Sequence, residues 1–212
     1  MKKNNIKRYY NIITKKIWYN IYMRDVYIKN DNFYKEIKKY LKSKDIGLHF
    51  YYDKKDIIDD TYIKENYNWD IKFKIYSIHA INIKDINKRY SYIYDVVCNY
   101  LDEEFNHKNI CGFKNNVCIS VKNNGHCHES KNGCCYGRNR GLCKHFIEGK
   151  WQIKSISCKL FTCRYLKKQN IRYKVNDIPL LKYFFNVRQK YIIDTSIFKD
   201  KEEIIKLLIK SK

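Results

Sequence analysis

No stretch of this chain is apolar for long enough to cross a membrane. Met1 to Ile21 also interrupts its apolar residues with Lys15 and Lys16, so no secretory leader is read there. Alanine and proline occur once each, as Ala80 and Pro179, while lysine, asparagine, isoleucine and tyrosine abound, as strongly AT-rich coding sequence produces. Internal repeats and low-complexity linkers are lacking, which excludes a solenoid and domains strung on flexible tethers. Acidic residues are short: 22 Asp and Glu face 44 Lys and Arg, a formal charge of +22. Such an excess draws anionic partners. It is spread along the chain and is lysine-rich, however, whereas bidentate phosphate or base recognition concentrates arginine. Also missing are a glycine-rich nucleotide loop, a G-x-S-x-G elbow, an H-E-x-x-H pair and a radical-initiating C-x3-C-x2-C run, so no catalytic class is indicated directly.

What is present is cysteine, and it is crowded. Of nine cysteines, eight fall between Cys111 and Cys163: Cys111, Cys118, Cys127, Cys134, Cys135, Cys143, Cys158 and Cys163. Gly112, Gly125, Gly133, Gly137, Gly141 and Gly149 share that window, whereas Gly47 is the one glycine before it. Without export, reduced thiols are expected, and a disulfide scaffold is disfavoured. Thiolate and imidazole suit zinc or an iron–sulfur cluster. His145, two residues after Cys143, is the histidine best placed to join them, and His126 and His128 flank Cys127. The spacing has no C-x-x-C, so neither a zinc ribbon nor a ferredoxin-type run is matched. Cys135, Cys143, Cys158 and Cys163 form the best single set. Arg138, Arg140 and nearby lysines would stabilise thiolates there.

Around this window the pattern is regular. Ile6, Tyr10, Ile13, Ile17 and Ile21 lie on one helical face, and Phe33, Ile37, Tyr40 and Leu41 on another, with Asp31 as its N-cap. Leu48 to Tyr52 reads as a strand. Trp69 to Tyr76 alternates Ile71, Phe73 and Ile75 with Asp70, Lys72 and Lys74 and reads as a second. Ile86, Tyr90, Ile93, Val97, Tyr100 and Leu101 predict a long helix carrying Cys98 as a buried apolar side chain. Pro179 opens a helix continued by Leu181, Phe185, Arg188 and Ile192, and Asp200 with Glu203 caps another over Ile204, Ile205, Leu208 and Ile209.

The segments NGCCYGRNRGLCKHF and GKWQIKSISCKLFTC resemble the zinc- or iron-chelating cysteine-rich family of the CxxCxxCC (YkgJ) type. Cys134, Cys135, Cys143, Cys158 and Cys163 fall at matching places, and Trp151 stands where that family commonly has a cysteine. The second segment is also similar to clostridial-type proteins of unassigned function. Flagellin lysine methylases carry a similar cysteine motif, so the resemblance implies metal binding and, by that route, methyl transfer. The expectation is an α+β chain: a scaffold over 1–108 with N-terminal helices and a small antiparallel sheet, a cysteine-rich metal module over 109–168, and helices over 169–212 packed on it. Functionally it is read as a cytoplasmic protein whose cofactor and partner is zinc or an iron–sulfur cluster. A metal-dependent redox or methyl-transfer enzyme and a basic nucleic-acid-binding module are the alternatives.

Overall fold

The computed structural model describes residues 24–43, 47–52, 59–108, 110–112, 136–137, 141–142, 146–147, 150–151, 154–197 and 199–212. The chain divides into two compact units, Met1–Lys84 and Asp85–Lys212.

In the first unit, β1 (Arg24–Ile28) leads through a 3₁₀ turn into α1 (Phe33–Lys42) and back to β2 (Leu48–Tyr52). The strands pair in parallel, Arg24 opposite Leu48 through Ile28 opposite Tyr52. A helix between two strands returns the chain to its starting end, so the pair is parallel, not the antiparallel sheet expected from sequence. Ile28, Leu48 and Phe50 are buried with Phe33 and Ile37 of α1. After α2 (Asp60–Asn66) comes α3 (Trp69–Asn82), which packs on β2. Asn82 closes the edge of that strand as a further strand would. Its amide nitrogen donates to the Phe50 carbonyl at 2.8 Å, and its oxygen accepts from the Phe50 N–H at 2.9 Å. The Lys84 ammonium reaches the Leu48 carbonyl at 2.7 Å. An open strand edge is thereby satisfied by side chains.

The segment from Trp69 to Tyr76, read as a strand, is therefore helical. Asn68 caps it, its side chain accepting from the Ile71 N–H at 3.1 Å. The period of two misled because α3 is buried on most sides, including Phe73, Ile75, Tyr76, Ser77, Ile78, Ala80 and Ile81. A helix covered nearly all round carries little 3.6-residue amphipathicity. Lys72, which falls on the polar side of that alternation, buries its stem and sets its ammonium 5.0 Å from the Trp69 ring centroid.

The second unit is built on α4 (Ile86–Lys108), the long helix expected from its spacing, with Tyr90, Ile93, Tyr94, Val97, Cys98 and Leu101 buried. Between Tyr136 and Trp151 the described residues form two short antiparallel ladders, β3 (Tyr136–Gly137) with β4 (Gly141–Leu142) and β5 (Phe146–Ile147) with β6 (Lys150–Trp151). Then follow α5 (Ile156–Leu160), α6 (Arg164–Lys168), a 3₁₀ turn over Val175–Asp177, α7 (Pro179–Phe184), α8 (Val187–Thr195) and α9 (Lys201–Lys210). α5 and α9 pack on α4, and α8 packs on both α5 and α9. Asp200 caps α9 as expected, its carboxylate accepting from the Glu203 N–H at 2.8 Å. The helix opened by Pro179, however, stops at Phe184. Asn186 and Gln189 start a new one, each side chain accepting from the other's N–H.

The described chain is thus mostly helical, with one small open parallel pair near its N-terminal end. It is not an α+β scaffold around a central cysteine-rich metal loop. The helix expected over Ile6 to Ile21 lies outside the described residues. No helix among the described residues is long and apolar enough to cross a membrane.

Candidate functional site

Among the described residues the cysteines do not assemble into a metal site. Among the described residues no group of three or more His, Cys, Asp or Glu side chains is placed to hold a metal ion. Cys158 lies in α5, a five-residue helix buried at every position from Ile156 to Leu160. That helix is held by tertiary contacts. The Ile156 N–H donates to the Tyr94 hydroxyl at 3.0 Å, the Ser157 hydroxyl donates to the Ile193 carbonyl, and the Lys159 ammonium pairs with Asp102. Segment SISCKL therefore fills the space between α4 and α8. Cys163 is buried at the start of α6, Cys111 is half-buried just beyond α4, and Cys98 is sealed in α4, where burial pushes its thiol up to about 12. A thiol held protonated in this way is a packing group rather than a ligand, as expected for Cys98. Cys118, Cys127, Cys134, Cys135, Cys143, His126, His128 and His145 lie outside the described residues.

A different set of side chains does converge, on the stretch after α6 and the outer face of α8. Helix α6 ends with Asn170 in the left-handed region at φ 60°. The Asn170 N–H donates to the Lys167 carbonyl at 3.1 Å, and the Ile171 N–H to the Leu166 carbonyl at 3.0 Å. This paired closure is one that asparagine tolerates better than a branched residue. It turns the chain into Arg172, Tyr173 and Lys174. The following turn is clamped twice: the Lys174 N–H donates to the Asp177 carboxylate, and the Asp177 N–H to the Lys174 carbonyl, both at 3.0 Å. Val175 is buried beneath it, and the Tyr173 ring leans on Phe105 with centroids 5.5 Å apart.

The phase of α8 is set from below. Gln189 is buried, its amide donating to the Tyr90 hydroxyl at 3.0 Å and to the Leu208 carbonyl at 2.8 Å, and Ile193 is sealed beside it. Residues one position on, Lys190 and Asp194, with Tyr191, then face the Arg172–Asn176 stretch. Between the two lies a depression of about 230 Å³. Lys190 spans it at one side, donating to the Asn176 side-chain oxygen at 2.9 Å. Arg172, Lys174 and Lys190 against Asp194 leave the lining with a surplus of positive charge. Burial raises the Tyr173 phenol above its ordinary range, so its hydroxyl stays a proton donor.

No protein-family model, curated protein or solved structure matches this chain.

The resemblance to the YkgJ-type cysteine-rich family is therefore not upheld, since neither a family match nor a described metal-binding group supports it. Zinc or an iron–sulfur cluster as cofactor and partner falls with it. The redox, methyl-transfer and nucleic-acid readings likewise find no support in the described residues or in any match. The basic depression was missed because Arg172 and Lys174 looked like part of the general lysine surplus. One signal was legible: Asn186 three residues before Gln189 marks a helix start, which resets the phase of everything after Phe185.

Proposed function

We propose that the Asp85–Lys212 unit is an anion-recognition module, binding carboxylate or phosphate groups in the depression between the Arg172–Asn176 stretch and α8. One observation carries the reading: Arg172, Lys174 and Lys190, drawn from two separate elements, line one small depression opposite one carboxylate, Asp194. The clamped turn and the helix of set phase fix where the cationic side chains leave the backbone, and charge-assisted hydrogen bonds to an anion are stronger than neutral ones. A volume near 230 Å³ suits one or two anionic groups rather than a whole drug-sized ligand. Tyr173 and Tyr191 add hydroxyl donors at the rim. A cytoplasmic setting is consistent with the reduced, buried thiol of Cys98.

The test is calorimetric titration of the full chain with pyrophosphate and with citrate. Arg172→Ala and Lys190→Ala are each expected to weaken binding by about threefold to tenfold. Lys64→Ala, an exposed cation of the other unit, serves as the charge-matched control. Equal losses in all three variants would reduce the binding to general attraction by the net charge and reject the site.

A further inference from the structure

Helix α8 offers solvent a face that its charges alone do not explain. Gln189 and Ile193 point into the unit, and the opposite side carries Val187 and Tyr191, 85% and 68% exposed. These two stand four residues apart, one above the other on the helix surface, with Lys190 and Asp194 in the same stripe. Single exposed apolar residues are ordinary on protein surfaces. Here the apolar pair runs directly into the cationic depression, because Tyr191 belongs to both. An inorganic anion or a small metabolite would use the depression and leave Val187 idle. A polypeptide with acidic and apolar side chains would use both, setting carboxylates against Arg172, Lys174 and Lys190 and apolar groups against Val187 and Tyr191. The chain's charge of +22 favours encounter with such a segment.

We infer that the anion taken by this depression is carried by a partner protein, on an acidic segment with apolar side chains spaced one helical turn apart that lies along α8. The inference rests on the anion-recognition reading above and specifies its ligand. Apolar anchors at i and i+4 with flanking charge are how an amphipathic helix is read by a helix surface or groove. In this arrangement Val187 contributes apolar contact and no contact to the anion, so its role separates from that of Arg172.

The experiment uses the full chain and two fluorescein-labelled synthetic peptides of equal negative charge. One is glutamate-rich with leucines four residues apart; the other has those leucines replaced by serine. Fluorescence anisotropy should give the leucine peptide at least about tenfold tighter binding, and Val187→Ser should remove most of that advantage. Pyrophosphate affinity, measured by calorimetry, should be unchanged in Val187→Ser and reduced in Arg172→Ala. Equal binding of the two peptides, or a leucine advantage that survives Val187→Ser, overturns the inference while leaving the anion site standing. Pyrophosphate binding that is absent or indifferent to Arg172→Ala overturns the anion reading itself, and the inference with it.

Discussion

At the scale of single residues, burial decides how a titratable side chain behaves. Cys98 and Tyr94 sit one turn apart on α4, both sealed from water. Burial penalises the thiolate and the phenolate, raising Cys98 from 9.0 to about 12 and moving Tyr94 upward as well. The consequence for stability has a definite sign. Between pH 9 and about 12 the unfolded chain has lost the Cys98 proton while the folded chain keeps it, so the folded state binds more protons. Stability is then complete below pH 9 and falls as pH rises through that window. Unfolding free energies from urea titration should drop between about pH 9 and pH 11, by up to ~1.4 kcal/mol per pH unit for each such group. Cys98→Ala should start lower at neutral pH, from lost packing, yet show a shallower alkaline decline. An unchanged alkaline slope in that variant would mean that Cys98 is not protected as described. Lys72 makes the complementary point, since its buried stem and aromatic partner disguised a core position as a surface one.

At the scale of elements, α5 is the most exacting piece of the second unit. Five residues make barely more than one turn, which is unstable alone, so tertiary contacts must hold it. Its Lys159 is 2% exposed in the side chain and paired with Asp102, which is 42% exposed. A buried ammonium gains from a carboxylate chiefly by avoiding isolation, and the exposed side of Asp102 limits the gain. Asp102→Asn is expected to cost about 1–3 kcal/mol, because it leaves Lys159 buried against a neutral group. Lys159→Met in the Asp102→Asn background should recover most of that loss, since the methionine stem fills similar space without a charge. Chemical denaturation of the two single variants and the double reads this directly, and simple additivity would show that the two side chains do not interact. Cys158 and Cys163, two members of the best cysteine set in the sequence, belong to different elements, Cys158 to this buried turn and Cys163 to the start of the next helix.

At the scale of the whole molecule, charge outweighs any one contact. A net +22 on 212 residues repels itself, and added salt screens that repulsion within about a Debye length. Raising sodium chloride from about 20 mM to 200 mM should therefore raise the melting temperature, by ~2–4 °C for each kcal/mol gained. Phosphate at matched ionic strength should raise it further if the depression holds the anion, because a ligand of the folded state adds stability by mass action. Calorimetric scans in the two salts separate these effects. A phosphate scan no higher than its chloride match would count against the site at Arg172, Lys174 and Lys190.

Sequence by itself determined what a single turn of backbone can decide. The Asp200 and Glu203 pair starts α9, Pro179 opens α7, and the apolar spacing from Ile86 to Leu101 makes α4, because caps and helical faces involve residues within a few positions of one another. Even the break between Phe184 and Val187 was written locally in Asn186 and Gln189. The tertiary structure alone decided that Trp69 to Tyr76 is a helix, since only burial on most sides explains its pattern. It alone placed Cys158 in a packed turn, and it alone brought Arg172 and Lys174 to Lys190. Cation convergence is set by how a clamped turn and a helix dock through Val175, Gln189 and Tyr90, and docking depends on partners far apart in the chain that no local spacing records.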